Sequence, residues 1–325
     1  MMSIAIRMTE IGGPDVLKPE SITEARPGAG EVWIEQDAIG VNYLDVDQRS
    51  GAVPIPLPSG LGLEAAGRVT AIGPDVGNVA VGDRVAYILG PIGSYASGRL
   101  YPAERLVLLP DNVSAEDAAT VLFKGITAHY LLHSTYAVST GTVVLLYGAA
   151  GALGQVMVPW AKSLGAFIIG VVSKQASVAR ARAVGCDAVL VWGECDLPAE
   201  VAKLTDGHKA HVVYDPIGKL TFPTSLECLR PRGLMVSFGA SSGAPDPVVV
   251  GTLNAKGSLF LTRPGLAAHA TELGEYRQRA NAVFRAVTDG IIKPAAWKIF
   301  ALSDAAAAHT ALQKGQSTGA VLLKP

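Results

Sequence analysis

Three glycines spaced three apart, Gly148, Gly151 and Gly154, follow an apolar, β-branched run from Val143 to Tyr147. Beyond Gly154 the pattern turns helical, with Val156, Val158, Trp160 and Leu164 among small residues. A buried strand, a glycine turn and a helix make the first unit of a doubly wound nucleotide fold. There the glycines let the backbone approach a pyrophosphate, and the helix start offers unpaired N–H groups to it. In the register Ala149-Ala150-Gly151-Ala152-Leu153-Gly154 the first glycine of the fingerprint is an alanine, so a Gly/Ala-rich helix packed on a sheet is the plainer alternative. The next apolar run, Phe167 to Val172, ends in Ser173-Lys174, and no acid follows before Asp187. An acid at that place holds the ribose 2′-hydroxyl of NAD. A hydroxyl and an ammonium suit the 2′-phosphate of NADP, with Arg180 or Arg182 adding charge; a solvated lysine at a helix start is the alternative.

The elements that must position these residues alternate. After Phe167 to Val172 come the apolar runs Ala188 to Trp192, Ala210 to Tyr214, Leu234 to Phe238 and Ser258 to Thr262, separated by helical stretches such as Ala176 to Val184. This alternation predicts a parallel sheet covered on both faces. Up to about Val121 the chain instead carries short strands between Gly and Pro turns: Ser3 to Met8, Glu31 to Ile39, Ala65 to Ile72, Arg84 to Ile88 and Arg105 to Leu109. That pattern predicts a mostly antiparallel β domain with one short helix near Asn42 to Arg49. Ser114, with Asp117 three residues on, reads as the cap of a linking helix continued by Ile126 to His133. A helix from about Ala270 to Asp289, a strand from Trp297 to Ala301, a helix capped by Ser303 and a strand from Ala320 to Leu323 have no place in the parallel sheet. They are expected to return to the first domain, with the active cleft where the two domains meet.

The 325 residues suit two domains, and 49% hydrophobic with 17% charged residues leaves ample core. A net charge of −1 gives no basic field for nucleic acid or anionic lipid. Cys186, Cys195 and Cys228 share no C-x-x-C spacing, which fits free thiols in a reducing cytoplasm. The start, Met-Met-Ser-Ile-Ala-Ile-Arg-Met, lacks the apolar region of a signal peptide. The uncharged window from Thr142 to Ala161 is long enough to span a bilayer, but its glycine cluster and Pro159 favour strand plus buried helix.

The chain resembles the zinc-free quinone oxidoreductase (zeta-crystallin-like) branch of the medium-chain dehydrogenase/reductase family, essentially end to end. The resemblance is carried by Gly40-Val41-Asn42-Tyr43-Leu44-Asp45, Arg49-Ser50-Gly51, Leu57 to Gly67, Gly82-Asp83-Arg84-Val85, Lys124-Gly125-Ile126-Thr127-Ala128, the Gly148 to Gly154 turn, Gly233 to Gly239, Leu253 to Leu259 and Thr262-Arg263-Pro264. It implies an α/β protein with a GroES-like β-rich catalytic domain, residues 1–122 and 265–325, and a Rossmann NADP-binding domain with a doubly wound parallel sheet, residues 123–264. NADPH, a small quinone substrate and a homodimer follow from the same resemblance, with no nucleic acid and no membrane partner. Edge pairing through Ser258 to Thr262 is the expected dimer route.

By resemblance, Asn42, Tyr43 and Asp47 line the nicotinamide side, with Lys124, Thr127 and Tyr130 near the floor. Gly148, Gly151, Ala152, Leu153 and Gly154 meet the pyrophosphate. Ser173, Lys174, Ser177 and Trp192 attend the adenosine phosphate. Ile217, Phe238, Gly239, Ala240 and Ser241 cover the nicotinamide end, and Arg263, Pro264, Gly265 and Leu266 close over it. Asn42 equally suits a helix cap, Tyr43 a core residue and Lys124 a structural ion pair. Relatives often have lysine for Ser177, tyrosine for Trp192, tyrosine for Asp47 and arginine for Gly315, where Lys314 is the nearby substitute. Zinc alcohol dehydrogenases of the wider family use Gly-His-Glu where this chain has Gly62-Leu63-Glu64, and the first domain has no cysteine, so no metal is expected. His129 and His133, four apart, read as polar surface or cavity residues. The alternatives to quinone reduction are reduction of a conjugated C=C bond, with Tyr43 or Tyr130 as proton donor, and an NADPH-regulated RNA-binding or structural role.

Overall fold

The parallel sheet predicted from the alternating runs has six strands in the order Ala188–Val191, Phe167–Val172, Val143–Tyr147, Ala210–Asp215, Leu229–Ser237, Phe260–Thr262. This computed structural model describes residues 3–325. Met1 and Met2, at the head of the expected first domain, lie outside the described residues. The chain divides into two compact units, Met1–Ile126 with Ala270–Pro325 and Thr127–His269. The first crossing falls inside the helix Ala115–His129, so no break in the chain marks it.

In the second unit every strand pair is parallel, and Leu146 faces Gly170 on one side and Tyr214 on the other. The runs are β-branched and buried on both faces, as strands between helix layers must be. Leu145, Tyr147, Ile169, Val171, Val213 and Met235 form their core. One strand is longer than its sequence pattern. The ladder jumps from Ala210 opposite Leu229 to Val212 opposite Leu234, and the polar, bulged stretch Arg230 to Gly233 hides the first half of Leu229–Ser237. The helix Gly154–Ser163 carries Pro159 inside it. Helix Ala115–His129 passes into a π-helical turn, Tyr130–Thr135, and the Tyr214 hydroxyl donates to the Leu131 carbonyl there at 2.8 Å.

The first unit carries a sheet in the order Ala296–Ala301, Ala320–Lys324, Glu31–Val41, Glu64–Ile72, Arg84–Ile88, Val107–Leu108, with Gly98–Pro102 also paired to Glu31–Val41. All its pairs are antiparallel except Ala296–Ala301 with Ala320–Lys324. Leu322 faces Gly40, so the last strand does join the sheet begun by the N-terminal third. A smaller sheet pairs Ile4–Met8 with Lys18–Ser21 and Ser59–Gly60. Lys18–Ser21, Ser59–Gly60 and Gly98–Pro102 are short or polar, and their sequences give no alternating apolar signal.

Several boundaries differ from the sequence reading. Arg105 to Leu109 is a 3-10 turn, Ala103–Arg105, followed by the two-residue strand Val107–Leu108. The helix expected from about Ala270 to Asp289 is Leu273–Thr288, started by the Glu272 carboxylate, which accepts from the Gly274 and Glu275 N–H groups; a separate short helix, Leu266–Ala270, precedes it. Ser303 does not cap the next helix. It lies in a 3-10 turn, Leu302–Asp304, and helix Ala305–Gln313 starts after Asp304. Ser114 does cap: Asp117 N–H donates to Ser114 Oγ at 3.0 Å, and Ser114 Oγ donates back to the carboxylate at 2.7 Å. Among the described residues no helix is long and apolar enough to cross a membrane.

Candidate functional site

The second unit gathers the nucleotide candidates at the carboxyl ends of its six strands. Gly148 follows Val143–Tyr147, Ser173 follows Phe167–Val172, and Trp192 follows Ala188–Val191. Ile217, Phe238 and Arg263 follow the other three. Gly148 has φ +69°, open to glycine, and turns the chain off the strand. A Cβ on Gly154 would collide with the Ala149 backbone, so only glycine lets the helix start sit this close to the turn. Helix Gly154–Ser163 opens with no side-chain cap; its Gln155 N–H donates to the Gly151 carbonyl at 2.9 Å and its Val156 and Met157 N–H groups to that of Leu153, so the glycine turn itself winds into the helix start.

Ser173 and Lys174 are exposed, whereas Ser177 is buried. Between the two arginines, Arg180 is the one turned onto the glycine turn: Nε donates to the Ala150 carbonyl at 3.2 Å and Nη2 to Ser177 Oγ at 3.3 Å. Arg182 is exposed. Asp187 lies at the start of the next strand, bound to Lys162 at 2.7 Å and to Ile168 N–H at 2.7 Å. No acid therefore stands at the end of Phe167–Val172. Trp192 meets Tyr147 edge-on, ring centroids 5.9 Å apart. A glycine cradle, an uncapped helix start and a hydroxyl–ammonium pair fit a phosphorylated dinucleotide.

Ile217 and the Phe238 to Ser241 stretch lie on neighbouring loops. Asp215, which the sequence reading passed over, organises them. Fully buried, it accepts from Ile217 N–H at 2.7 Å and Gly218 N–H at 3.1 Å, and its carboxylate is 2.7 Å from Thr221 Oγ1 and 3.0 Å from Ser225 Oγ. Its signal was an acid closing an apolar run just before Pro216-Ile217-Gly218. Phe238 N–H donates to the Asp215 carbonyl at 3.0 Å and Ser241 N–H to that of Pro216 at 3.3 Å. Arg263 Nη1 donates to the Ser237 and Gly239 carbonyls at 3.3 and 3.2 Å. Pro264 and Gly265 follow in a loop, and Leu266 opens the helix Leu266–Ala270; Pro264 and Leu266 are half-buried and Gly265 is exposed. Tyr130 is buried, its ring stacked 4.3 Å from His269, and Thr127 is half-buried. His129 and His133 pack ring on ring at 4.5 Å against Trp160.

In the first unit a buried polar cluster centres on Asn42, just ahead of helix Tyr43–Ser50. Its side-chain N–H donates to Glu64 Oε2 at 2.9 Å, and its side-chain carbonyl accepts from Lys124 Nζ at 2.9 Å. Lys124 Nζ is 3.6 Å from Glu64 Oε2, and Glu64 Oε1 accepts from Phe123 N–H at 2.7 Å. Asn42 thus bridges rather than merely precedes the helix; Asp45 takes the cap from its backbone N–H at 2.8 Å. An ammonium has three donors, so Lys124 keeps one for a further acceptor. Tyr43 is not core: it is half exposed, and its hydroxyl donates to the Leu312 carbonyl at 3.1 Å. Burial, then Asp47, pushes the Tyr43 phenol up, and burial raises the Asp47 carboxyl, though Asp47 is exposed at the surface.

Two family models match the chain: residues 28–111 match the alcohol dehydrogenase GroES-like domain, and residues 152–269 match zinc-binding dehydrogenase. The chain is 42% identical to a quinone oxidoreductase of Pseudomonas aeruginosa over all of both chains. It is 41% identical to a 2-haloacrylate reductase of Burkholderia over all of this chain and 99% of that one. The crystal structure of Escherichia coli quinone oxidoreductase complexed with NADPH superposes with a TM-score of 0.96 at 40% identity, covering 99% of this chain and 100% of that one. The donors for a zinc ion are not brought together here. Leu63 stands beside Glu64, Glu64 is engaged by Asn42 and Phe123, and all three cysteines lie in the second unit. Among the described residues no three His, Cys, Asp or Glu side chains converge on one point.

Proposed function

The chain belongs to the quinone oxidoreductase branch of the medium-chain dehydrogenase/reductase family, and from that premise we propose that it reduces small quinones with NADPH and without zinc. The observation that carries this reading is the buried Lys124–Asn42–Glu64 cluster, a fixed cation 3.6 Å from Glu64, the residue that closes the segment where zinc alcohol dehydrogenases hold their metal. The cofactor, when bound, supplies a hydride. Ser173 and Lys174 bind its 2′-phosphate, and Gly148, Gly151 and Gly154 admit its pyrophosphate. Asp215 holds the loop of Ile217 against the Phe238 to Ser241 stretch, and Arg263 ties that stretch to the strand after it. Lys124 Nζ donates to the acceptor oxygen as it gains negative charge, and Asn42 fixes the direction of that N–H. A quinone is a strong electrophile, so positioning and one charged donor suffice. The test is nicotinamide oxidation by chelator-treated protein with naphthoquinone: fast turnover with NADPH and slow turnover with NADH supports the reading, and no turnover overturns it.

A second reading is reduction of a conjugated C=C bond, favoured by the likeness to the 2-haloacrylate reductase and by the half-exposed Tyr43 side chain, whose hydroxyl would leave the Leu312 carbonyl to protonate the α-carbon. Loss of enone turnover but not quinone turnover in Tyr43→Phe would support it. A homodimer pairing through Phe260–Thr262 belongs to the same proposal. This strand is the sheet edge, and Phe260 is 60% exposed on it. Sedimentation at twice 33.6 kDa, reduced to one chain by Phe260→Lys, tests it. A reducing cytoplasm suits the free cysteines Cys186, Cys195 and Cys228.

A further inference from the structure

Behind Asn42 lies a second buried polar chain that the proposed chemistry does not use. Asp45 Oδ2 accepts from Asn42 N–H at 2.8 Å and from the Tyr95 hydroxyl at 2.9 Å. The Tyr95 hydroxyl is also 3.0 Å from His309 Nε2. All three side chains are fully buried. A phenol has one hydrogen. Spent on the carboxylate, it obliges Tyr95 to accept from His309, which assigns the ring hydrogen to Nε2. The donors then converge on Asp45: His309 Nε2–H donates to Tyr95 and Tyr95 O–H to Asp45 from one side, and Asn42 N–H donates to Asp45 from the other.

We propose that Asp45, Tyr95 and His309 are positioning residues that hold Asn42, and through it the Lys124 ammonium, in the orientation the reaction needs. Three observations carry this. First, the chain ends on the one residue whose side chain spans Lys124 and Glu64, at 2.9 Å from each. The N–H and the side chain of Asn42 share one Cα, so the anchor on the first fixes the origin of the second. Second, the three residues come from helix Tyr43–Ser50, the loop before Gly98–Pro102 and helix Ala305–Gln313. Buried polar groups from three separate segments are costly to assemble, and apolar packing would serve stability as well. Third, the elements that carry the chain are tied together. A Cβ on Gly62 would strike the Tyr95 ring, and helix Ala305–Gln313 is tied to helix Tyr43–Ser50 twice more, by Tyr43 to the Leu312 carbonyl at 3.1 Å and Arg49 to Gln313 at 3.0 Å. Burial pushes the His309 imidazole down to about 3, which keeps it a neutral donor.

The proposal rests on the reading of Lys124 as the donor to the quinone, and its test separates the two. Naphthoquinone reduction at saturating NADPH is compared for Tyr95→Phe, His309→Ala, His309→Gln, Lys124→Gln and the Tyr95→Phe/Lys124→Gln pair, with the Lys124 Cε resonance followed by NMR. Tyr95→Phe and His309→Ala are expected to lower kcat roughly tenfold with the KM for NADPH unchanged. His309→Gln, which keeps an N–H donor, restores most of the loss. The double variant loses no more than Lys124→Gln alone, and the Cε resonance shifts in Tyr95→Phe. Unchanged kcat in Tyr95→Phe, or losses that multiply in the double variant, would overturn the proposal. If the wild-type protein reduces no quinone, the functional reading fails and the resonance alone decides: a shift in Tyr95→Phe upholds the chain, and an unmoved signal ends it.

Discussion

Lys124 Nζ lies 2.9 Å from the side-chain carbonyl of Asn42, 82 positions away in sequence. The contact places a buried cation against a neutral acceptor, with the Glu64 carboxylate at 3.6 Å supplying the opposite charge. Removing the cation leaves a fully buried carboxylate without its partner. Lys124→Met should therefore cost about 3–5 kcal/mol in urea unfolding, and adding Glu64→Gln should recover most of it. Equal stability of Lys124→Met and wild type would show that the pair is not buried as described.

The cradle at Gly154 makes a separate prediction. A Cβ there meets the Ala149 backbone, which cannot swing aside as a flexible side chain can. Gly154→Ala should cost about 1–3 kcal/mol of stability and weaken NADPH binding more than tenfold. Fluorescence titration of the nucleotide checks it; unaltered affinity would place the phosphates elsewhere.

In the proposed function Lys174 bears on cofactor choice alone. A charged hydrogen bond contributes about 1.5–3 kcal/mol, so Lys174→Glu should cut the NADPH-over-NADH preference roughly tenfold to a hundredfold and leave NADH turnover near its starting value. An equal loss with both nucleotides would assign the lysine a structural part.

Asp45 and His309 give opposite pH dependences of stability. Burial raises the Asp45 carboxyl from 3.8 to about 7, with Tyr95, Asn42 N–H and Lys124 pulling it down and Glu64 pushing it up. Its contribution is present at low pH and is lost as pH rises from about 4 to 7. Burial, then Arg49, lowers His309 from 6.5 to about 3. Its contribution is present above pH 6.5 and is lost as pH falls towards 3. The two nearly cancel in the wild type. His309→Gln should thus gain stability on acidification from pH 7 to 4, and Asp45→Asn should lose it from pH 6.5 to 3. Urea midpoints across pH check this, and parallel slopes in the two variants would contradict it.

The parallel sheet was legible in the sequence because its strands are uninterrupted apolar runs, Val143–Tyr147 and Phe167–Val172 above all. Gly148, Ser173, Trp192, Phe238 and Arg263 each sit one residue past a strand, and Ile217 two, where chain order alone places them. The bulge at Arg230 to Gly233 broke that signal, and in the antiparallel sheets of the first unit the polar strands Lys18–Ser21 and Gly98–Pro102 carry none. The Asn42 cluster was legible only in part. The spacing of Asn42 and Asp45 is itself a cap signature. Tyr95 and His309 stand 50 and 214 positions from their partners and have no local pattern to announce them. Only the folded sheet, with its last strand beside Glu31–Val41, brings them together.

The most direct test of the account is a single turnover. Chelator-treated protein loaded with NADPH and freed of excess nucleotide is mixed with naphthoquinone, and nicotinamide absorbance is followed. The account predicts one burst of oxidation, with one quinol formed per bound nucleotide and a primary isotope effect when the transferred hydrogen is deuterium. Nucleotide that stays reduced in the presence of quinone, or oxidation that returns only when zinc is added, would contradict it.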